Sequence, residues 1–227
     1  MQSDNRDLLV DGLGRLGLRL DERRLAALVA YHDLLLQTCA DGLNLTGIRD
    51  ERESVVANLL DSLAPLSLLD LPAEAPRDQR GGLTLAEVGA GGGLPGLPLA
   101  VVLPPSVVEV ALIESKEKKC VFLRAAAAAM QPSIAPRRIE VRREDAMTTP
   151  YQYDRLVFRA FGPLATIVRL SDRLLAPGGM AVAWKGRRAR IDEELAALPE
   201  GRREAIRIVP VTVPHLAADE RHAVIIR

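Results

Sequence analysis

The chain has 227 residues, 48% of them hydrophobic and only 3% aromatic, and its 30 lysines and arginines are balanced by 30 aspartates and glutamates. This allows one substantial core with a smaller appendage and excludes two large domains. Zero net charge excludes a global field that would pull the protein onto nucleic acid or an anionic membrane, so any RNA contact must use a local patch.

The polar start MQSDNRD lacks the basic and apolar regions of a signal peptide, and no apolar run is long enough to span a bilayer. A cytoplasmic protein acting as a monomer is therefore expected. Leu8, Leu9, Leu13 and Leu16 mark a short helix. Leu25, Leu28, Val29, His32, Leu35, Leu36 and Cys39 recur at helical spacing behind Asp21, a predicted N-cap. Val56, Leu59, Leu60 and Leu63 mark a third helix. Residues 1–71 thus read as a helical extension, 72–82 as a linker rich in Pro, Gly and charge, and 83–227 as the main domain. Cys39 and Cys120 are isolated and read as reduced, buried hydrophobes. His32 reads as a packed histidine, and His215 and His222 lack ligand spacing, so no metal is expected.

Beyond the linker, strands and helices alternate. Strands are predicted at Leu83–Val88, Val107–Ile113, Arg138–Val141, Tyr153–Arg159 and Gly179–Lys185, with helices following Pro95, Ser115 and Gly162. Ile206–Val213 and His222–Ile226 are joined by a turn too short for a helical crossover and should pair antiparallel. The expected fold is α/β, a Rossmann-like seven-stranded sheet, mostly parallel, closed by an antiparallel C-terminal hairpin. That is the layout of class I methyltransferases. Arg137, Arg138, Arg142 and Arg143 bracket the third strand and read as exposed edge charge.

The most informative segment is LAEVGAGGGLPGL, Leu85–Leu97: a strand that ends in Glu87 and breaks into glycines before a helix. Such a turn lets backbone pass close beneath a nucleotide-like ligand. Gly91, Gly93 and Gly96 fit the dinucleotide spacing, but the wider pattern of Glu87, Gly89, Gly91 and Gly93, followed by a second strand ending in Glu114, favours S-adenosylmethionine. Glu114 can accept both ribose hydroxyls, a need shared by either cofactor.

Several separated segments resemble one family. NLTGIRD at Asn44–Asp50, LLDSL at Leu59–Leu63, EVGAGGGLPGLPL at Glu87–Leu99, ESKEKKCVFL at Glu114–Leu123, RAF at Arg159–Phe161, WKG at Trp184–Gly186 and ERHAVII at Glu220–Ile226 occur in the order found in the bacterial small-subunit ribosomal RNA methyltransferase G family (glucose-inhibited division protein B), which methylates a 16S rRNA guanine at N7. The resemblance implies that Gly89 and Leu94 line the cofactor pocket, Glu114 holds the ribose, Glu144 and Asp145 flank the adenine, and Arg159 faces the cofactor or the incoming base. The small ribosomal subunit or its RNA is the implied partner. Three departures stand out: Glu87 where the family more often has Asp, Ala57 and Asn58 in place of an Arg-His pair, and Gly47 in place of a larger residue.

Guanine N7 has a lone pair and no proton, so its methylation needs positioning and desolvation rather than a general base. Exocyclic-amine methylation uses an Asn/Asp-Pro-Pro-aromatic turn, and pyrimidine C5 methylation a cysteine nucleophile; neither is in place here. Arg159 offers a planar fork to guanine O6, to a cofactor carboxylate or to a phosphate, or else pairs with an acid such as Asp154 or Asp145. Phe161 either stacks on a flipped base or packs in the core. Lys185, Arg187, Arg188 and Arg190 form a candidate phosphate contact or the solvated start of a helix. Asn44 reads equally as a turn residue and as a wall of the substrate cleft. Two other functions fit the same residues: an assembly factor that binds RNA and cofactor without turnover, and a methyltransferase acting on another RNA or a small molecule.

Overall fold

A computed structural model of the chain describes residues 1–74, 81–216 and 219–227; most of the expected linker, residues 75–80, lies outside them. The elements run α1 (Ser3–Arg15), α2 (Glu22–Ala40), α3 (Glu51–Ser54), a π-helical turn (Val55–Leu60), α4 (Asp61–Leu63), a 3-10 turn (Leu66–Leu69), β1 (Leu83–Val88), α5 (Gly96–Val102), β2 (Val107–Glu114), α6 (Glu117–Ile134), β3 (Arg138–Arg143), β4 (Tyr153–Arg159), α7 (Leu164–Leu174), β5 (Leu175–Lys185), α8 (Arg188–Ala196), α9 (Glu200–Arg203), β6 (Ile206–Pro210) and β7 (His222–Ile226). Asp21 accepts the Arg24 N–H at 2.8 Å and caps α2 as expected. Asp50 does the same for α3 through Glu53 N–H.

The seven strands lie in the order β3-β2-β1-β4-β5-β7-β6. Pairs among β1 to β5 are parallel, and β7 runs antiparallel to both β5 and β6. Chain direction reverses its spatial sense between β1 and β4, the switch point at which open α/β sheets bind ligands beyond their strand C-termini. Register brings Val88 opposite Ile113, Arg159 opposite Trp184, and Lys185 opposite His222, so the ends of β1, β2, β4 and β5 face one cleft.

One sheet face and the N-terminal helices share a single apolar core that runs from Leu9, Leu28 and Leu60 to Leu85, Leu112 and Val182. The opposite face is covered by α7 and α8. Polar pins reinforce the join. Arg155 on β4 donates to the Leu69 and Asp70 carbonyls at 2.7 and 2.6 Å.

Arg137 departs from the exposed edge charge expected of it. It is buried, and its guanidinium donates to the carbonyls of Ala100, Leu103, Pro104 and Val107 at 2.6 to 2.8 Å. The negative C-terminal end of α5 stabilises a cation there that has no carboxylate partner among the described residues. Burial lowers its pKa to about 10, which still leaves it charged at neutral pH. His32 is buried as expected, its Nε2 2.9 Å from Ser54 Oγ, and both cysteines are buried thiols.

Candidate active site

The glycine-rich loop leaves β1 at Gly89. Its φ of +72° is one that L side chains rarely adopt, and a Cβ there would lie 2.4 Å from the Phe161 ring. Glu114, at the end of β2, is largely buried and ties the loop down: Oε2 accepts Gly91 N–H at 3.0 Å and Oε1 accepts Lys116 N–H at 2.8 Å. A carboxylate has about four acceptor sites; Ser115 Oγ also reaches Oε1 at 3.5 Å, so it is Oε2 that keeps one free. Tyr31 reaches in from α2 and donates to the Gly92 carbonyl at 2.7 Å. The helical segment thus grips the loop directly.

A cavity of about 430 Å³ opens above this loop, lined by Gly89, Gly91 and Leu94, by Asn44 to Ile48, and by Asn58, Lys119, Arg159 and Ala160. Its size suits a nucleoside-sized ligand. The glycine floor and the cations Lys119 and Arg159 in its lining fit a cofactor carrying a carboxylate; Glu114 does not line the cavity itself but sits directly beneath it, bonded to Gly91 of the floor. Asn44 is therefore a wall of the cleft. Asn58, where the family's histidine was expected, donates to Ser54 Oγ at 2.9 Å and accepts from Thr46 Oγ1 at 3.3 Å, which anchors the 44–48 wall to α3.

Glu87 does not line this cavity. It is buried beneath the loop, where Oε2 accepts the Gly96 N–H at 2.9 Å and Oε1 has no partner among the described residues. Burial pushes its pKa up to about 8, with the Gly96 N–H and Arg159 acting in the opposite sense. Glu87 holds the start of α5 and supports the loop from behind. Gly93 packs closely against Leu97. Glu144 and Asp145 also stay out of the cavity. Glu144 N–H reaches the Glu114 carbonyl at 3.2 Å, and Asp145 is exposed and accepts from Met147 N–H at 2.8 Å, closing a local turn.

Arg159 pairs with an acid, but with neither Asp145 nor Asp154. Its Nη2 lies 3.0 Å from Asp61 Oδ2 and also reaches the Ala57 carbonyl in the widened π turn. Asp61 is buried. Its Oδ1 is 3.1 Å from Arg221 Nε, and its carbonyl accepts from Trp184 Nε1 at 2.9 Å. Asp154 instead accepts from Thr84 on β1. A lone acid in the apolar run LLDSL was the signal for such a hub, because a buried carboxylate requires partners.

On the other side of Arg159 and Ala160 lies a second cavity of about 820 Å³, walled by Asp61, Trp184, Lys185, Arg187, Arg190, Glu194 and Arg221. Arg159 and Ala160 border both spaces. Ala160 holds a left-handed φ of 52°. Lys185 is bound by Glu194 at 2.7 Å and by the Gly162 carbonyl at 2.8 Å. Burial alone would raise the Glu194 pKa, but Lys185 and the Leu164 N–H outweigh it and hold the carboxyl below its ordinary value. Arg187 has no carboxylate within ion-pair distance among the described residues and faces the cavity, whereas Arg188 begins α8 and pairs with Asp192 at 2.8 Å. Phe161 lines neither cavity: its ring meets Phe158 edge-on at 5.5 Å and covers Gly89. No cluster of metal-ligating side chains occurs among the described residues.

Residues 24–224 match the family described as rRNA small subunit methyltransferase G. The chain belongs to that family. It is 39% identical over 220 residues to the ribosomal RNA small subunit methyltransferase G of Aromatoleum aromaticum, covering 96% of each chain. With the Stenotrophomonas maltophilia (strain K279a) protein of the same name it shares 38% over 216 residues, or 95% of this chain and 92% of the relative. Among solved structures, Aeropyrum pernix fibrillarin in complex with S-adenosyl-L-methionine superposes with a TM-score of 0.51 at 16% identity, over 74% of this chain and 73% of the other, a likeness of fold alone. Membership of the methyltransferase G family accounts for the order in which the segments that resemble it follow one another along the chain. No helix of the described residues is long and apolar enough to cross a membrane.

Proposed function

We propose that this protein transfers a methyl group from S-adenosylmethionine to N7 of a guanine in 16S ribosomal RNA, acting as a cytoplasmic monomer on the RNA or the small ribosomal subunit. Residues 83–227 supply the cofactor loop, and residues 1–71 complete the cleft. The observation that carries this reading is the wall shared by the two cavities. A glycine-floored pocket lies on one side, a cation-lined pocket on the other, and Arg159 with Ala160 stands between them.

Gly89, Gly91, Leu94 and Glu114 would hold the cofactor, which supplies an electrophilic methyl group when bound. Arg159 is held in place by Asp61 and the Ala57 carbonyl, so its remaining N–H groups keep a fixed direction toward guanine O6, a phosphate or the cofactor carboxylate. Asp61, the carboxylate beside Arg159, is committed to cations, as is Glu194; Glu193, the third carboxylate lining the larger cavity, is exposed on α8. An acceptor that carries no proton suits such a wall, and guanine N7 is one. Arg187 and Arg190 would meet backbone phosphates, with Lys185 positioned behind them.

The test is to incubate the protein and S-adenosylmethionine with small subunits from cells lacking this enzyme, then map borohydride and aniline cleavage, which cuts at N7-methylguanine. A single cofactor-dependent cut is expected. No cut, despite measurable cofactor binding and an active control enzyme, overturns the N7 assignment.

A further inference from the structure

The chain has only four lysines, and three of them, Lys116, Lys118 and Lys119, lie within four residues at the start of α6. None of the three has a carboxylate within ion-pair distance among the described residues; the intervening Glu117 is taken by Arg143 at 2.9 Å and Arg124 at 3.4 Å. In a chain of zero net charge these cations are locally uncompensated. They also work against the fold. Lys116 occupies an N-cap position and makes no capping hydrogen bond, where Ser, Thr, Asp or Asn would stabilise the helix. Cations in a first turn oppose the helix macrodipole. Glu117 in the same turn is shared between Arg143 and Arg124, so three lysines are left over, and a surplus of cations that the fold does not use points to a ligand.

The surroundings indicate which ligand. A cleft of about 500 Å³ is lined by the three lysines, by Arg143 from β3 with its partner Glu117, and by Asn44 from the cleft wall, four cations against one carboxylate. Asn44 and Lys119 also line the cavity above the glycine loop, and that cavity shares Arg159 and Ala160 with the larger one. The three spaces therefore lie in series, each sharing wall residues with the next, with Lys116 to Lys119 at one end and Arg187 with Arg190 at the other. No aromatic side chain lines the lysine end, so it offers no stacking platform. Lysines present point charges without a fixed fork, which suits phosphate oxygens in varied positions rather than base edges.

We propose that Lys116, Lys118, Lys119 and Arg143 form a second phosphate seat for the substrate RNA, so that the strand is held on both sides of the reacting base. This rests on the RNA methyltransferase reading above. The seat recognises backbone and adds affinity without sequence choice.

The test uses the full chain with K116Q/K118Q, which leaves Lys119 beside the cofactor cavity untouched. Binding and methylation of protein-free 16S RNA are measured across a range of salt concentrations, together with cofactor affinity by calorimetry. The expected result is a KM for RNA raised roughly tenfold and a log affinity against log salt slope shallower by about 1–2, as loss of two phosphate contacts requires. kcat and cofactor affinity should hold, and K116R/K118R should restore the slope. An unchanged slope and KM in the variant, with the wild type methylating normally, overturns the seat while leaving the enzyme reading intact. An effect confined to assembled subunits and absent on protein-free RNA would assign the patch to a ribosomal protein and also overturn it. If the wild type methylates no RNA, the underlying reading fails first, and the seat with it.

Discussion

Asp61 holds the Arg159 guanidinium at 3.0 Å across the seam between the N-terminal helices and the sheet, and with its other oxygen it holds Arg221. The carboxylate is buried and Arg159 mostly so. Removing one partner of a buried pair costs roughly 3–5 kcal/mol, because the other charge is left uncompensated. Asp61→Asn should therefore lower stability to urea by about 3 kcal/mol. It should also reduce kcat/KM on RNA by roughly 10- to 100-fold as Arg159 loses its direction. A double-mutant cycle with Arg159→Met separates the two effects: strong coupling is expected, and additive losses would sink the positioning role.

Gly89 is fixed twice, by its positive φ and by the Phe161 ring above it. Gly89→Ala should cost about 1–2 kcal/mol in backbone strain alone. Calorimetry should show cofactor affinity falling at least about tenfold. Shortening the ring in a Gly89→Ala/Phe161→Leu double variant makes room but leaves φ unchanged. It should recover part of the stability and little of the affinity.

Glu87 predicts a pH signature. Its folded pKa of about 8 lies above the ordinary 4.5, so between these values the folded state binds more protons than the unfolded chain. Stability must then fall as pH rises through that window. Between about pH 5.5 and pH 7.5 the contribution is roughly 2–3 kcal/mol. Glu87→Gln keeps an acceptor for Gly96 N–H and should flatten the slope; urea midpoints at both pH values read it directly, and a variant as steep as wild type would refute the assignment.

Arg137 should matter for folding and not for the reaction. Arg137→Met strands four carbonyls at the end of α5 and the start of β2, and a loss of roughly 3–5 kcal/mol is expected. Cofactor affinity measured well below the new melting point should stay within about twofold of wild type.

The sheet and the cofactor loop were legible because their signals are local: apolar runs bounded by turns, and glycines where a side chain cannot stand. Glu114 was legible as the acid ending the strand next to that loop, but its bonds to the Gly91 and Lys116 N–H groups were not. What stayed hidden depends on long-range pairing. Periodicity identified a helix around Leu59 to Leu63 but not the π turn that offers the Ala57 carbonyl to Arg159, nor the choice of Asp61 over Asp145 and Asp154. Glu87 read as a pocket residue because charge at a strand tip usually faces ligand; here its length carries it under the loop to Gly96. Arg137 read as surface because no pattern in sequence announces four carbonyls converging from two other elements. Phe161, by contrast, packs on Phe158 three residues earlier and over Gly89, the core placement that the sequence allowed.

Ala160 stands with Arg159 in the lining of both cavities. Glycine could adopt its left-handed backbone without steric penalty, so the methyl group is kept at a cost of roughly 1 kcal/mol. With Arg159 clamped from behind, that methyl is the smaller of the two side chains both cavities share. On the function proposed above, a side chain larger than alanine at position 160 should crowd the boundary between cofactor and base, so that the bulk tolerated there limits which base can be presented.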